Sequence, residues 1–168
     1  MKKVVLFTLM LFVAMGMQAK SLNGKWKTIM EENGQKMEFH FTFNKSILEM
    51  TVVIRHADPE VGTFTVSVTS PLTYTLNGDT LKIKPDGGEV TVNIDKIEFV
   101  GEIATVVQEH PEVEKLINEQ LKKNLEETKG EMAKALPTDG YLTIVSQTDT
   151  QLILRDEADK EMIFSKVK

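Results

Sequence analysis

From Gly24 to Val100 the dominant period is two, apolar residues alternating with polar ones, and that length commits this half of the sequence to β-structure. Met37, Phe39, Phe41 and Phe43 alternate with Lys36, Glu38, His40 and Thr42, so a strand there has one apolar face and one wet face. After Asn44-Lys45-Ser46 the pattern repeats in Leu48, Met50, Val52 and Ile54. Asp58-Pro59 marks a loop, and Phe64, Val66 and Val68 follow; beyond Pro71 come Leu72, Tyr74 and Leu76. Asn77-Gly78 has the residue types of a tight hairpin turn, and Leu81 and Ile83 carry the chain back. Pro85-Asp86-Gly87-Gly88 turns it once more into Val90, Val92 and Ile94. Short antiparallel strands on short loops predict a sandwich or an up-and-down barrel. At Asp95-Lys96 the phase slips to Ile97 and Phe99, which predicts a bulge or a strand end.

Beyond Gly101 the period becomes helical. Ile103, Val106 and Val107 make a first short stripe, and Pro111 suits the first turn of a second helix. Val113, Leu116, Ile117, Leu121 and Leu125 predict its apolar side, with Glu112, Glu114, Lys115, Glu119, Lys122, Lys123 and Glu126 opposite, including a Glu119–Lys123 pair. Gly130 and Pro137 weaken and end this region, giving a helical hairpin, or one long helix with a lead-in turn, inserted at about residues 101–136. After Asp139-Gly140 the strand period returns in Leu142 and Ile144, in Leu152-Ile153-Leu154 and in Met162-Ile163-Phe164. These last strands carry apolar residues on both faces. The helix stripe is the expected cover for the second face.

Residues 1–19 read as an export signal of bacterial type. Lys2 and Lys3 form a basic head, Val4 to Met17 is apolar but short for a membrane span, and small residues follow. Cleavage is placed after Ala19, with Gly16 as the alternative, leaving residues 20–168 as one domain. The expected location is periplasmic or extracellular in a Gram-negative bacterium, with no stable membrane anchor in the mature form. The chain has no cysteine, which excludes disulfides and lipid attachment at cysteine. Net charge is −5, and loss of Lys2 and Lys3 makes it more negative. An acidic chain with no basic cluster is a poor partner for nucleic acid. Only Arg55 and Arg155 are arginine, which argues against a large anion site.

Motifs of catalysis are missing. There is no Gly-x-Ser-x-Gly elbow, phosphate loop, dinucleotide fingerprint or cysteine nucleophile, so an enzyme is the less favoured class and no cofactor is expected. His40, His56 and His110 have no ligand spacing. His56, Asp58 and Glu60 share a loop in which imidazole and carboxylates suit zinc, but an exposed polar loop explains them better, and no metal is expected. His40, with Glu38 and Thr42, fits a solvated strand face. His110 fits a helix start.

Three stretches carry a resemblance: Leu22-Asn23-Gly24-Lys25-Trp26, the hairpin Tyr74 to Leu81, and Leu152-Ile153-Leu154-Arg155-Asp156 followed by Ile163-Phe164. In these the chain resembles lipocalin-like (calycin) proteins, in particular small exported bacterial ones. The resemblance implies a mainly β fold, an antiparallel up-and-down barrel of eight to ten strands. It also implies that Gly24 and Trp26 close one barrel end with Arg155 packed over the indole, a contact that cation–π attraction would favour. Two features depart from the family: the Thr-Asp-Tyr element has no counterpart, and the helical insertion precedes the last strands instead of following the barrel. Taken with the apolar stripes, the resemblance implies a small hydrophobic or amphipathic ligand in the interior, against Met37, Phe39, Phe41, Met50, Val52, Phe64 and Tyr74. The competing expectation is a non-catalytic interaction module that docks a cell-envelope protein through the helical insertion or the barrel surface.

Overall fold

The computed structural model describes residues 21–32, 35–136 and 139–168; the export segment and both of its cleavage positions lie outside the described residues. In chain order the strands are β1 (Gly24–Glu32), β2 (Gln35–Asn44), β3 (Ile47–Asp58), β4 (Gly62–Asn77), β5 (Thr80–Pro85) and β6 (Thr91–Phe99). Helices α1 (Gly101–Glu109) and α2 (Pro111–Ala135) follow, and then β7 (Gly140–Gln147), β8 (Gln151–Arg155) and β9 (Glu161–Lys166). All pairings are antiparallel. The order β1-β2-β3-β4-β5-β7-β8-β9 closes on itself where Trp26 and Lys27 of β1 face Lys166 and Ser165 of β9. The molecule is therefore a closed eight-stranded antiparallel barrel, with β6 as one further strand alongside β4. This is compatible with a lipocalin-like fold.

Strand direction sorts the turns between two ends. The β2–β3, β4–β5 and β7–β8 turns share one end with Leu22, and that end is packed solid. Trp26, Leu48, Leu72, Leu81, Leu152, Leu154 and Phe164 have no exposure there, and Leu22 and Phe43 have almost none. The indole Nε1 of Trp26 donates to the Leu22 carbonyl at 2.8 Å, so its one polar atom is satisfied inside the core. Burying a tryptophan removes about 150–250 Å² from water, worth about 4–6 kcal/mol at most. The glycine two residues earlier has its own reason. Gly24 holds φ at 121°, and a Cβ there would lie 3.1 Å from Cε of Lys166. Its bare backbone leaves the space through which Lys166 lays Nζ 5.0 Å from the centroid of the Trp26 ring.

Arg155 does not fill that place. Its guanidinium donates to Glu161 Oε1 at 2.7 Å and lies 3.7 Å from Asp159, and Glu161 beside it raises its pKa. Residues Arg155 and Glu161 are paired across β8 and β9, close to the turn at the opposite end from Trp26. Lys166, on the strand that pairs with β1, is the cation over the indole.

The barrel wall splits along β4. Leu72–Asn77 pairs with β5 and Gly62–Thr69 with β6, so the two shorter strands run end to end along one edge. Pro71 stands at the junction. The Tyr74 N–H points to the β3 side, donating to Ser46 at 2.9 Å, whereas the Pro71 carbonyl faces Asp86 on the other side. Odd-numbered residues of β4 thus serve the β5/β6 edge, and Pro71 has no N–H to give there. On the packed side of this gap β5 pairs with β7 through Thr80 to Ile83, and beyond the gap β6 runs as an outer strand. The expected phase slip is a bulge at Asp95: Thr65 pairs with Lys96 but Val66 with Ile94, and Ser67 Oγ donates to the Asp95 carboxylate at 2.9 Å. The turn after β4 differs by one residue from expectation, because Gly78, at φ 64°, and Asp79 form the loop between paired Asn77 and Thr80.

Both helices rest on β6, not on the final strands as expected. Val113, Ile117, Leu121 and Leu125, spaced by four, make the half-buried stripe of α2, while Leu116 is 63% exposed. Glu119 lies 3.9 Å from Lys115, one turn before it, where Lys123 was the expected partner. The second face of the last strands stays open to water, with Ile163, Tyr141 and Val145 all exposed. Val145 owes its place to a second bulge, since Ile144 pairs with Leu154 and Ser146 with Ile153.

Trp26→Ala should lower unfolding free energy by about 3–5 kcal/mol in urea titrations followed by circular dichroism. Lys166→Ala should cost about 0.5–1 kcal/mol, and it alone should alter the emission of the single tryptophan in the native state. Arg155→Ala should leave that emission unchanged, because its ion pairs lie elsewhere.

Candidate ligand-binding cavity

The other half of the barrel is hollow. Above the packed end, Phe41 and Phe164 meet with ring centroids 4.8 Å apart, and their upper surfaces form the floor of a cavity of about 650 Å³. Met30, Met37 and Phe39 of the β1–β2 hairpin, Met50, Val52 and Ile54 of β3, and Val68 of β4 make one wall. Ile83, Leu142 and Met162 face them from β5, β7 and β9. Met132 and Leu136 close the side where the wall divides, as the last part of the helical segment reaches over the barrel. The volume lies within the range of small-molecule sites, and the lining is apolar, as such sites are.

The reason for the hollow is visible in side-chain height. At the packed end, inward residues of every strand meet across the axis. Towards the mouth β5 has already ended, so inward residues of β1 to β4 face a gap in place of an opposing strand. Met37, Phe39 and Ile54 are on the inward face yet only half-buried, because they border the cavity. Five methionines line it, Met30, Met37, Met50, Met132 and Met162. Unbranched thioether side chains can repack around an irregular guest more readily than β-branched ones.

Polar groups gather at the mouth. Asp139, Gly140, Tyr141, Asp156, Glu157 and Ala158 form the rim on the β7 side and the β8–β9 turn. Asp156 Oδ1 accepts the N–H groups of Ala158 and Lys160, both at 2.9 Å, which fixes the turn. Glu157 Oε1 accepts the Tyr141 N–H at 3.0 Å and ties that turn to β7. Lys82, paired with Tyr141 across the strands, lies 5.0 Å from its ring centroid. Tyr141, and more weakly Asp139, hold the Lys82 ammonium above its ordinary pKa.

Met37, Phe39, Phe41, Met50 and Val52 come together on this cavity, as the alternation implies. Phe64 and Tyr74 do not line it. Phe64 pairs with His56 and Ile97, at the end of β4 that extends beside β6. Tyr74 stands at the packed end, edge-on to Phe43 at 5.1 Å and beside a shallow hollow of about 320 Å³; burial raises its phenol pKa. Gly24 and Trp26 are likewise at the packed end, away from the cavity. Period two assigns a face but not a height along the barrel, and height separates these residues. Sequence reasoning missed Met132 and Leu136, which prolong the stripe of Val113, Ile117, Leu121 and Leu125 beyond the point where it was ended. It also missed Val68, Ile83 and Met162, which obey the alternation.

The histidines lie outside the cavity. Asp58 Oδ1 accepts N–H bonds from Glu60 at 2.8 Å and Val61 at 2.9 Å; the bonds from Val61 and then Glu60 lower its pKa, so its work is to close the β3–β4 turn. Among the described residues no group of three His, Cys, Asp or Glu is placed to hold a metal ion. His40 sits on the outer face with Nε2 2.7 Å from Glu38, and it is more buried than a solvated face requires. No family model matches the chain, and no curated protein matches it.

Proposed function

We propose that this protein is an exported, lipocalin-like binding protein of a bacterial envelope, and that it carries a small hydrophobic or amphipathic molecule inside the barrel. One observation carries the reading: an apolar, half-open cavity of about 650 Å³ in a barrel whose other half buries its inward side chains almost completely. A fold held by its core alone would gain by filling this space, since every unfilled volume forfeits contact energy. Keeping the space empty is consistent with a guest that supplies those contacts. The inward aromatic and methionine side chains offer dispersion contacts without directional demands, which suits an apolar body of variable shape.

A second reading has one observation in its favour. No described residue of α1 or α2 is fully buried, and Leu116 and Val106 stand exposed on them, which is surface that an envelope protein could cover. The cavity favours the first reading, because a docking module has no use for a hollow interior.

The mature chain should enhance the fluorescence of the neutral probe N-phenyl-1-naphthylamine with saturable, one-to-one binding. Val52→Trp, which places a large ring in the cavity, should weaken that binding at least about tenfold while circular dichroism shows the barrel intact. Absence of saturable enhancement, or equal binding by a folded Val52→Trp variant, would remove the ligand from the interior.

A further inference from the structure

Resting on the reading of the cavity as a ligand site, we infer that it selects amphiphiles with a cationic head, an alkyl- or arylammonium, over those with a carboxylate or phosphate head. The distribution of polar groups sets the orientation first. The floor is two aromatic rings and the walls are aliphatic and thioether side chains, so a polar head placed there would lose its hydration with no partner. The apolar body must therefore enter first and leave the head at the mouth.

The head then meets charge of one sign. Among the described residues, every charged side chain lining the cavity is a carboxylate: Asp139, Asp156 and Glu157. Among the described residues no lysine, arginine or histidine lines it. Of the bases beside the rim, Arg155 is engaged with Glu161 and Asp159, Lys82 leans on the Tyr141 ring with a weaker attraction to Asp139, and among the described residues no ion pair joins Lys160 to a rim carboxylate. Asp156 and Glu157 are positioned by backbone N–H groups and not by cations, so their charge is left uncancelled by an ion pair. A carboxylate or phosphate head brought beside them would face like charge next to an apolar wall, where screening by water is reduced. An ammonium head would meet opposite charge in the same place. Asp139 is exposed, makes none of the turn-forming bonds of its neighbours, and is thus the specificity residue that can be changed without disturbing the fold.

Displacement of N-phenyl-1-naphthylamine by three ligands of one chain length tests this: decylammonium, decanol and decanoate, at neutral pH and low salt. Decylammonium should compete at a concentration at least about tenfold below that of decanoate, with decanol between, and added salt should narrow the gap. Asp139→Lys, folded by circular dichroism, should abolish or reverse the order. Equal or stronger competition by decanoate, with the probe still bound, overturns the head-group selectivity and leaves the cavity reading standing. A preference for decylammonium that is unchanged in Asp139→Lys overturns it as well. Failure of the probe itself to bind is a different result, because it removes the ligand site on which the selectivity rests.

Discussion

Pro71 presents a carbonyl but no N–H to the edge of β4 at the point where β5 gives way to β6, and the asymmetry of the barrel follows from that gap. A strand as long as β4 could hold one continuous partner along its whole edge, and the barrel would then be equally wide and equally filled at both ends. Pro71 and Pro85 instead bring the partner to a stop, and Asp86 to Val90 make a jog before pairing resumes. The jog is itself tight, since Asp86 Oδ1 accepts the Gly88 N–H at 2.6 Å and a side chain at Gly88 would press on the Pro71 ring. Beyond it the outer strand β6 does not pair with β7, and the wall opens.

The two halves divide the work of stability and function. Fully buried aliphatic and aromatic side chains around Trp26 supply hydrophobic stabilisation of about 1.5–3 kcal/mol each, and the strands that carry them run on into the open half. A hollow can persist there because the packed end supplies the cohesion. The same division bears on dynamics. The elements bordering the hollow, α2 and the β8–β9 turn, have few buried side chains, which places them at the low-stability end of the molecule, where opening for a guest costs least.

Much of this was legible in the sequence because strand alternation is a direct consequence of pleat geometry. Met37 to Phe43 and Leu48 to Ile54 name the inward face without reference to any partner, and the slip at Asp95 appears in the letters as it does in the register. What was not legible depends on distance along the barrel axis and on which strands become neighbours. Phe64, Phe39 and Tyr74 obey one alternation but occupy three heights. Lys166 carries no local sign in the sequence that it is the cation for Trp26; β1–β9 closure brings the two strands side by side. The last strands looked doubly apolar and so in need of cover, yet Val145 sits in a bulge and Ile163 simply faces water. The rim carboxylates had no signal at all, since Asp139 and Asp156-Glu157 meet only when β7 pairs with β8.

Topology also explains why a helical pair should stand in this place. The chain leaves β6 at the mouth end, and β7 must begin at the mouth end to run antiparallel to β5. β6 ends against Gly62 and β7 begins against Ile83, the partner of Tyr74, so the connection must run back along β4 and also cross from the outer strand to the closed wall over the opening that Pro71 creates. A direct loop would leave the half-buried Val92 and Ile94 of β6 facing water and the cavity without a side. An amphipathic helix solves both problems with one stripe: Val113 to Leu125 serve β6, and the same stripe, continued, brings Met132 and Leu136 over the barrel. The insertion is thus the missing part of the wall. A helix meets the interior with side chains alone, so the cavity keeps its apolar lining without the unpaired backbone groups that a strand edge would expose there.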